Sequence, residues 1–160
     1  RLDESKKKQV DIHDGIDSTL LILASPLRQM TVEKDYGELR PIECLPGQLN
    51  QVFMNVLVNA IAAVKTVPDP EITIQTALSS AGTVIIKISD NGTGVEKDVQ
   101  HRIFDPFYTT KPVGEGTGLG LSISHHIVVE KHQGQLSCCS VPGEGTTFSI
   151  EIPMATPTDA

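Results

Sequence analysis

The apolar positions of this 160-residue chain change their period along its length, and each change marks an element. Ile12, Ile16, Leu20 and Leu23 recur at helical spacing, so 11–27 is expected to form an amphipathic helix with Pro26 near its end. From 31 to 45, short strand-like pieces are broken by Gly37 and Pro41. The stretch 47–67 carries the strongest helical period and is closed by Pro68 and Pro70. The period then switches to two. Segments 72–78 and 83–89 alternate apolar with polar and read as strands joined by a turn at Ala81 and Gly82. Segment 91–120 is loop-rich, 121–131 is helical, and 135–141 and 146–152 are two more strands. The charged start, 1–10, with Lys6, Lys7 and Lys8, is expected to be a linker or the end of a preceding helix, and the tail, 154–160, to be frayed. Helices with a mixed, mostly antiparallel sheet imply one α+β domain over 11–153, a two-layer α/β sandwich with helices on one face of the sheet.

Within that frame, polar residues stand where the pattern calls for something else. On a helical wheel Val52, Phe53, Val56, Leu57, Ala60 and Val64 fall on one side of the 47–67 helix, and Asn55, Asn59, Ala62 and Ala63 on the other. Asn55 and Asn59 are i,i+4 neighbours, so their amides project to one spot, and the alanines leave room there. Asn is a mediocre former of helix interiors, and a solvated face would carry Lys and Glu instead. A neutral amide oxygen at that spot suits a Mg2+ shell made mainly of phosphate and water oxygens.

In 83–90, Val84, Ile86 and Ile88 share a face, and Asp90 has their parity. A carboxylate aimed inward costs free energy unless it is paired. One partner is an exocyclic amine such as that of adenine, with Gly92 and Gly94 allowing a flat ligand close; the other reading is an Asp-Asn-Gly turn capping a hairpin. Further on, Gly114, Gly116, Gly118 and Gly120 crowd together directly before the 121–131 helix, turning backbone amides toward an anion. The spacing fits neither a P-loop nor a dinucleotide fingerprint. Phe104, Phe107 and Tyr108 are expected to anchor the preceding segment and place Lys111 toward phosphate charge.

Charge narrows the partners. Thirteen Lys and Arg against 20 Asp and Glu give a net charge of −7, which argues against nucleic acid or an anionic membrane surface. A phosphate ligand would then be held by local amides, a few Lys and a metal ion. No apolar run reaches membrane-spanning length. Cys44, Cys138 and Cys139 lack metal or redox spacing and read as reduced core thiols of a cytoplasmic protein.

Five blocks occur in a telling order: Asn55-Val56-Leu57-Val58-Asn59-Ala60, Asp90-Asn91-Gly92-Thr93-Gly94, Phe104-Asp105-Pro106-Phe107, Gly116-Thr117-Gly118-Leu119-Gly120-Leu121 and Gly143-Glu144-Gly145-Thr146. Together they resemble the catalytic ATP-binding domain of bacterial sensor histidine kinases, part of the wider group that includes gyrase, Hsp90 and MutL. The resemblance implies a Bergerat-type fold, ATP and Mg2+ as cofactors, and phosphotransfer to histidine in a two-component system. It implies Asn59 as the Mg2+ ligand, with Asn55 and Lys111 at the phosphates as the residues of transfer. Asp90 would read adenine, supported by Thr146, with Ala63, Gly92 and Gly94 around the base. Segment 96–115 would be a lid, and Gly116, Thr117, Gly118, Leu119, Gly120 and Leu121 the phosphate cradle.

Two departures stand out. Hydrolysing members of the wider group carry a Glu four residues before the metal-binding Asn, where this chain has Asn55, which cannot serve as a base at neutral pH. Slow hydrolysis is therefore expected. Gln133 stands where many relatives have a second glycine, with no functional loss expected. The acceptor histidine of such kinases sits on a two-helix dimerisation domain. His13-Asp14 begins the acceptor pattern but lacks the following Pro, and His101, His125, His126 and His132 are expected to be structural or surface residues. The expectation is a monomeric catalytic domain whose phosphoacceptor lies on another domain, with a response regulator downstream and no nucleic-acid or membrane contact of its own. A serine protein kinase of the anti-sigma type and a nucleotide-sensing module on the same fold remain alternatives.

Overall fold

The computed structural model describes residues 6–108 and 119–154. In chain order the elements are β1 (Lys8–Val10), α1 (Ile12–Ile22), α2 (Ala24–Leu27), β2 (Thr31–Tyr36), β3 (Ile42–Cys44), α3 (Pro46–Ala63), β4 (Glu71–Leu78), β5 (Thr83–Asp90), α4 (Lys97–Gln100), α5 (Gly120–His126), a π-turn (Ile127–Lys131), β6 (Gln135–Val141) and β7 (Gly145–Pro153). The main sheet has the order β2-β4-β5-β7-β6, with only β2 and β4 parallel. The helices α1, α3 and α5 lie together on one face of it, with α3 against β5 and β7. This is the expected two-layer, mostly antiparallel sandwich.

Alternation along β5 and β7 builds the core. Val84, Ile86 and Ile88 face Ile152, Ile150 and Phe148 in register, all at most 1% exposed. On the opposite layer α3 buries Val52, Phe53, Val56, Leu57 and Ala60, the side the wheel assigned to the core. Burying each large aliphatic or aromatic side chain is worth about 1.5–3 kcal/mol, so this contact dominates the fold.

Four local features depart from the sequence reading. Lys8–Val10, expected in a linker or helix end, is a strand paired antiparallel with Ile42–Cys44. The helix expected over 11–27 is interrupted at Leu23. Pro26 has no N–H for the carbonyl of Ile22, and its ring crowds that oxygen, so α1 stops there and α2 restarts with Pro26 in its first turn. The helix after Gly120 widens into the π-turn before Gln133, whose φ of 54° is left-handed. α3 starts at Pro46, whose fixed φ suits a first helical position, and ends at Ala63, short of the expected 67.

The cysteines also divide. Cys44 is buried, Cys138 is half-buried and Cys139 is exposed, so the last is not the core thiol expected. Burial pushes the Cys44 and Cys138 thiols up to about 11, which keeps both protonated at neutral pH. Among the described residues no cluster of His, Cys, Asp or Glu could hold a metal ion, and no helix is long and apolar enough to cross a membrane.

Candidate nucleotide site

Along β5 and β7 the inward face of the sheet is apolar until its last row. There the register places Ile72, Asp90, Thr146 and Ser140 side by side on β4, β5, β7 and β6. Asp90, Thr146 and Ser140 are 8%, 5% and 6% exposed. Burial raises the Asp90 carboxyl above its ordinary range, while the backbone amides of Gly92 and Thr146 pull it down. The Gly92 N–H donates to Asp90 Oδ1 at 2.9 Å. Desolvation prevails, so the carboxylate sits in a place that disfavours its charge, which is the condition a ligand amine would relieve.

The segment after β5 is pressed against its surroundings through glycines. A Cβ on Gly92 would lie 2.5 Å from the Ala63 carbonyl oxygen, and one on Gly94 (φ 77°) 2.5 Å from that of Val141. Gly145 likewise packs directly on the Asp90 carbonyl. These glycines therefore serve backbone-to-backbone packing, a reason that needs no ligand. Gly143 N–H donates to the Thr93 carbonyl at 2.8 Å, and Val95 N–H to Ser140 Oγ at 2.7 Å. The Gln100 amide reaches the carbonyls of Val95 and Ser140, each at 2.9 Å. Asn91 completes the seam, its amide donating to the Asp69 carbonyl and accepting from the Glu71 N–H, both at 2.8 Å. Sequence reasoning missed Ser140, Gln100 and Asn91. Only the cross-strand register brings Ser140 to the seam, and only the packing of α4 on β6 brings Gln100 there, while Asn91 lay in plain view between Asp90 and Gly92.

The facing wall is α3. Asn55 and Asn59 lie a turn apart, both half-buried, but they are used differently. Asn55 Nδ2 donates to the Gly120 carbonyl at 3.0 Å and to Ser124 Oγ at 3.1 Å, and its Oδ1 accepts from Gln51 at 2.9 Å. Ser124, fully buried, also donates to Gly120 O. Asn55 thus ties α3 to the first turn of α5. Among the described residues no hydrogen bond engages the Asn59 side chain. The structure brings Asn55, Gly120 and Ser124 into one contact, and Ala63 to Gly92. Leu119 and Leu121 flank the start of α5 and are half-buried. Lys111, Gly116, Thr117 and Gly118 lie outside the described residues, as does the part of the expected lid from 109 on.

Of the expected aromatic anchors, Phe104 packs on His125 and Phe148 at ring distances of 5.2 and 6.3 Å, and Tyr108 carries the Arg102 guanidinium at 4.8 Å. Phe107 is instead 73% exposed, with φ 67°, and anchors nothing among the described residues. The histidines are structural or on the surface. His13 stacks on Tyr36 and bonds Thr76 at 2.7 Å. His132, 3% exposed, accepts the Leu45 N–H on Nε2 at 3.0 Å and donates from Nδ1 to the Ile127 carbonyl at 2.9 Å. A separate open cavity of about 470 Å³, lined by Gln9, Asp11, Asp14, Pro46 and Asn50 among others, includes none of the expected site residues.

Comparison with known proteins bears on this arrangement. Residues 44–156 match the family described as histidine kinase-, DNA gyrase B-, and HSP90-like ATPase. The chain is 38% identical over 154 residues to the signal transduction histidine-protein kinase AtoS of Escherichia coli (strain K12), covering 94% of this chain and 24% of that protein. It is 39% identical over 152 residues to sporulation kinase E of Bacillus subtilis (strain 168), covering 94% and 20%. The chain thus spans about a quarter or less of the length of these relatives. Among solved structures, the catalytic domain of histidine kinase ThkA superposes with a TM-score of 0.81 at 25% identity, covering 94% of this chain and 99% of that one. A match over most of the length, on a sheet whose inward face ends in a buried acid beside a glycine-packed loop, leaves one assignment: the chain belongs to the histidine kinase-, DNA gyrase B- and HSP90-like ATPase family.

Proposed function

We propose that this domain binds Mg2+-ATP and passes the γ-phosphate to a histidine on a dimerisation domain, as the catalytic unit of a two-component kinase. The observation that carries the reading is Asp90: a buried carboxylate at the end of an apolar row, with only backbone amides to satisfy it. An adenine amine supplies the missing donor, and charged acceptors form the stronger hydrogen bonds. Thr146 stands beside it, and Ala63, Gly92 and Gly94 border the base. The phosphates extend toward α3 and the start of α5, where Lys111 and the 116–121 cradle would meet them and Asn55, its amide hydrogens given to Gly120 and Ser124, holds the first turn of α5 in place beside them.

Asn59 fits a metal role. Its amide is uncommitted among the described residues and half-buried, and a neutral amide oxygen suits a cation already neutralised by phosphates. When bound, Mg2+ supplies charge neutralisation at the phosphate oxygens. The protein's own residues hold and orient the nucleotide. Asn55 has no proton-accepting capacity at neutral pH, so water goes unactivated and an imidazole from another domain is the better nucleophile. A response regulator then receives the phosphoryl group from that histidine.

Titration with a fluorescent ATP analogue tests the site: wild type binds and Asp90→Ala does not. Equal binding by both, or none by wild type, overturns the assignment. Incubation with labelled ATP and a histidine-bearing dimerisation domain tests the transfer. Acid-labile phosphate on that domain is expected; acid-stable phosphate would instead mark a serine kinase.

A further inference from the structure

Ser140 is a buried hydroxyl to which the proposed chemistry gives no part. Its single O–H donates to the Gly145 carbonyl at 3.0 Å, since a carbonyl oxygen only accepts. Its lone pairs take the Val95 N–H at 2.7 Å and meet Thr146 Oγ1 at 2.8 Å. The Ser140 hydrogen is already committed, so the hydrogen in that last contact comes from Thr146. Thr146 then turns only lone pairs toward the site. Asp90, its register partner, offers lone pairs alone in its carboxylate form. The polar end of the sheet is an acceptor-only row, and Ser140 makes it so.

We propose that Ser140 is a specificity-determining positioning residue. By holding the Thr146 hydroxyl hydrogen away from the site, it makes the row favour 6-amino purines over 6-oxo purines. A 6-amino group brings N–H donors to these lone pairs, whereas a 6-oxo group puts a further acceptor in the same place and moves the ring's donor to N1, so the lone pairs that face position 6 go unpaired. Loss of the Ser140 hydroxyl frees Thr146 to rotate and donate to a 6-oxo group. The inference rests on the reading of this site as a purine nucleotide pocket.

The test is competition of ATP and of inosine triphosphate against a fluorescent ATP analogue. Wild type prefers ATP. Ser140→Ala lowers the ATP-to-ITP preference about tenfold, the weight of one hydrogen bond. Thr146→Val lowers it similarly, and adding Ser140→Ala in that background changes it no further. Ser140→Thr, which keeps a hydroxyl, retains the wild-type preference. Ser140→Cys fills the same space with a poor hydrogen-bonding group and carries the test if Ser140→Ala does not fold. Equal weakening of both nucleotides would mean that Ser140 only holds the Val95 loop, and would overturn the proposal; so would full additivity with Thr146→Val. Failure of wild type to bind either nucleotide would overturn the site reading itself, a separate result from an unchanged preference in the Ser140 variants.

Discussion

On one side of the candidate site, the segment after β5 is packed backbone to backbone, Gly92 on the Ala63 carbonyl, Gly94 on Val141 and Gly145 on the Asp90 carbonyl, and it is reinforced by Ser140 and Gln100 toward β6 and by Asn91 toward the start of β4. On the other side, α3 meets the first turn of α5 through the amide of Asn55. The first side is closed by main-chain packing and the second by a side-chain tie. Main-chain packing cannot be loosened without moving strands, whereas a side-chain bond can break and reform at a net cost of about 1 kcal/mol. Under the proposed function, this keeps the base pocket preorganised and leaves adjustment to the end assigned to the phosphates.

The contrast can be broken experimentally, most severely at Asp90. Asp90→Asn is expected to weaken ATP binding about 10- to 100-fold, the range for a hydrogen bond to a charged group, while thermal stability holds or rises. The sign follows from burial. The folded-state pKa of Asp90 is raised, so stability falls as pH climbs from the ordinary carboxylate value toward the folded one and stays reduced above it, a cost that the neutral amide escapes. Melting curves and nucleotide titrations on one sample decide it; a clear fall in melting temperature would make Asp90 structural.

Gly92→Ala comes next. Its Cβ would meet the Ala63 carbonyl at 2.5 Å, so overpacking of about 1–3 kcal/mol is expected. At roughly 2–4 °C per kcal/mol, the melting temperature drops by several degrees. An unchanged melting temperature would show the seam to be pliable.

Asn55→Ala is expected to act locally. Hydrogen exchange should speed up around 120–124 while the melting temperature moves by less than that of Gly92→Ala. Equal global losses from both variants would erase the distinction between the walls.

The smallest effect belongs to His132, which bonds Leu45 and Ile127 and none of the expected site residues. Burial lowers its pKa below 6.5, so the folded state resists protonation. Stability is full above about 6.5 and declines as pH falls from there toward the lower folded value. The acid limb of a melting-temperature profile should flatten in His132→Gln, and a limb that is unchanged would assign the acid sensitivity elsewhere.

Much of this was legible in the sequence because periodicity carries it. The alternation of 83–90 put Asp90 on the core face, and the wheel of α3 separated Val52, Phe53 and Val56 from the two asparagines. What stayed hidden depends on partners distant in sequence. The strand Lys8–Val10 has only three residues and is defined by Ile42–Cys44. The Ser140–Thr146 contact exists only through the register of β6 on β7. Gln133 looked like a neutral exchange for glycine, but its φ of 54° places it where glycine is more comfortable. The glycines after Asp90 were visible, yet their reason, contact with Ala63 and Val141, is a property of the packed chain.

α3 is held at both ends. Leu45, just before it, is fixed to the buried His132, and Ala63 at its close is pressed by Gly92. Eighteen residues between those stops span about 27 Å. The helix therefore works as a gauge that sets the separation of the Gly92 contact from the His132 anchor. Side chains along it can be exchanged, but adding or deleting one residue would shift one stop by about 1.5 Å and turn it through about 100°. The tolerance of this domain to change in α3 is thus a matter of length before it is one of chemistry.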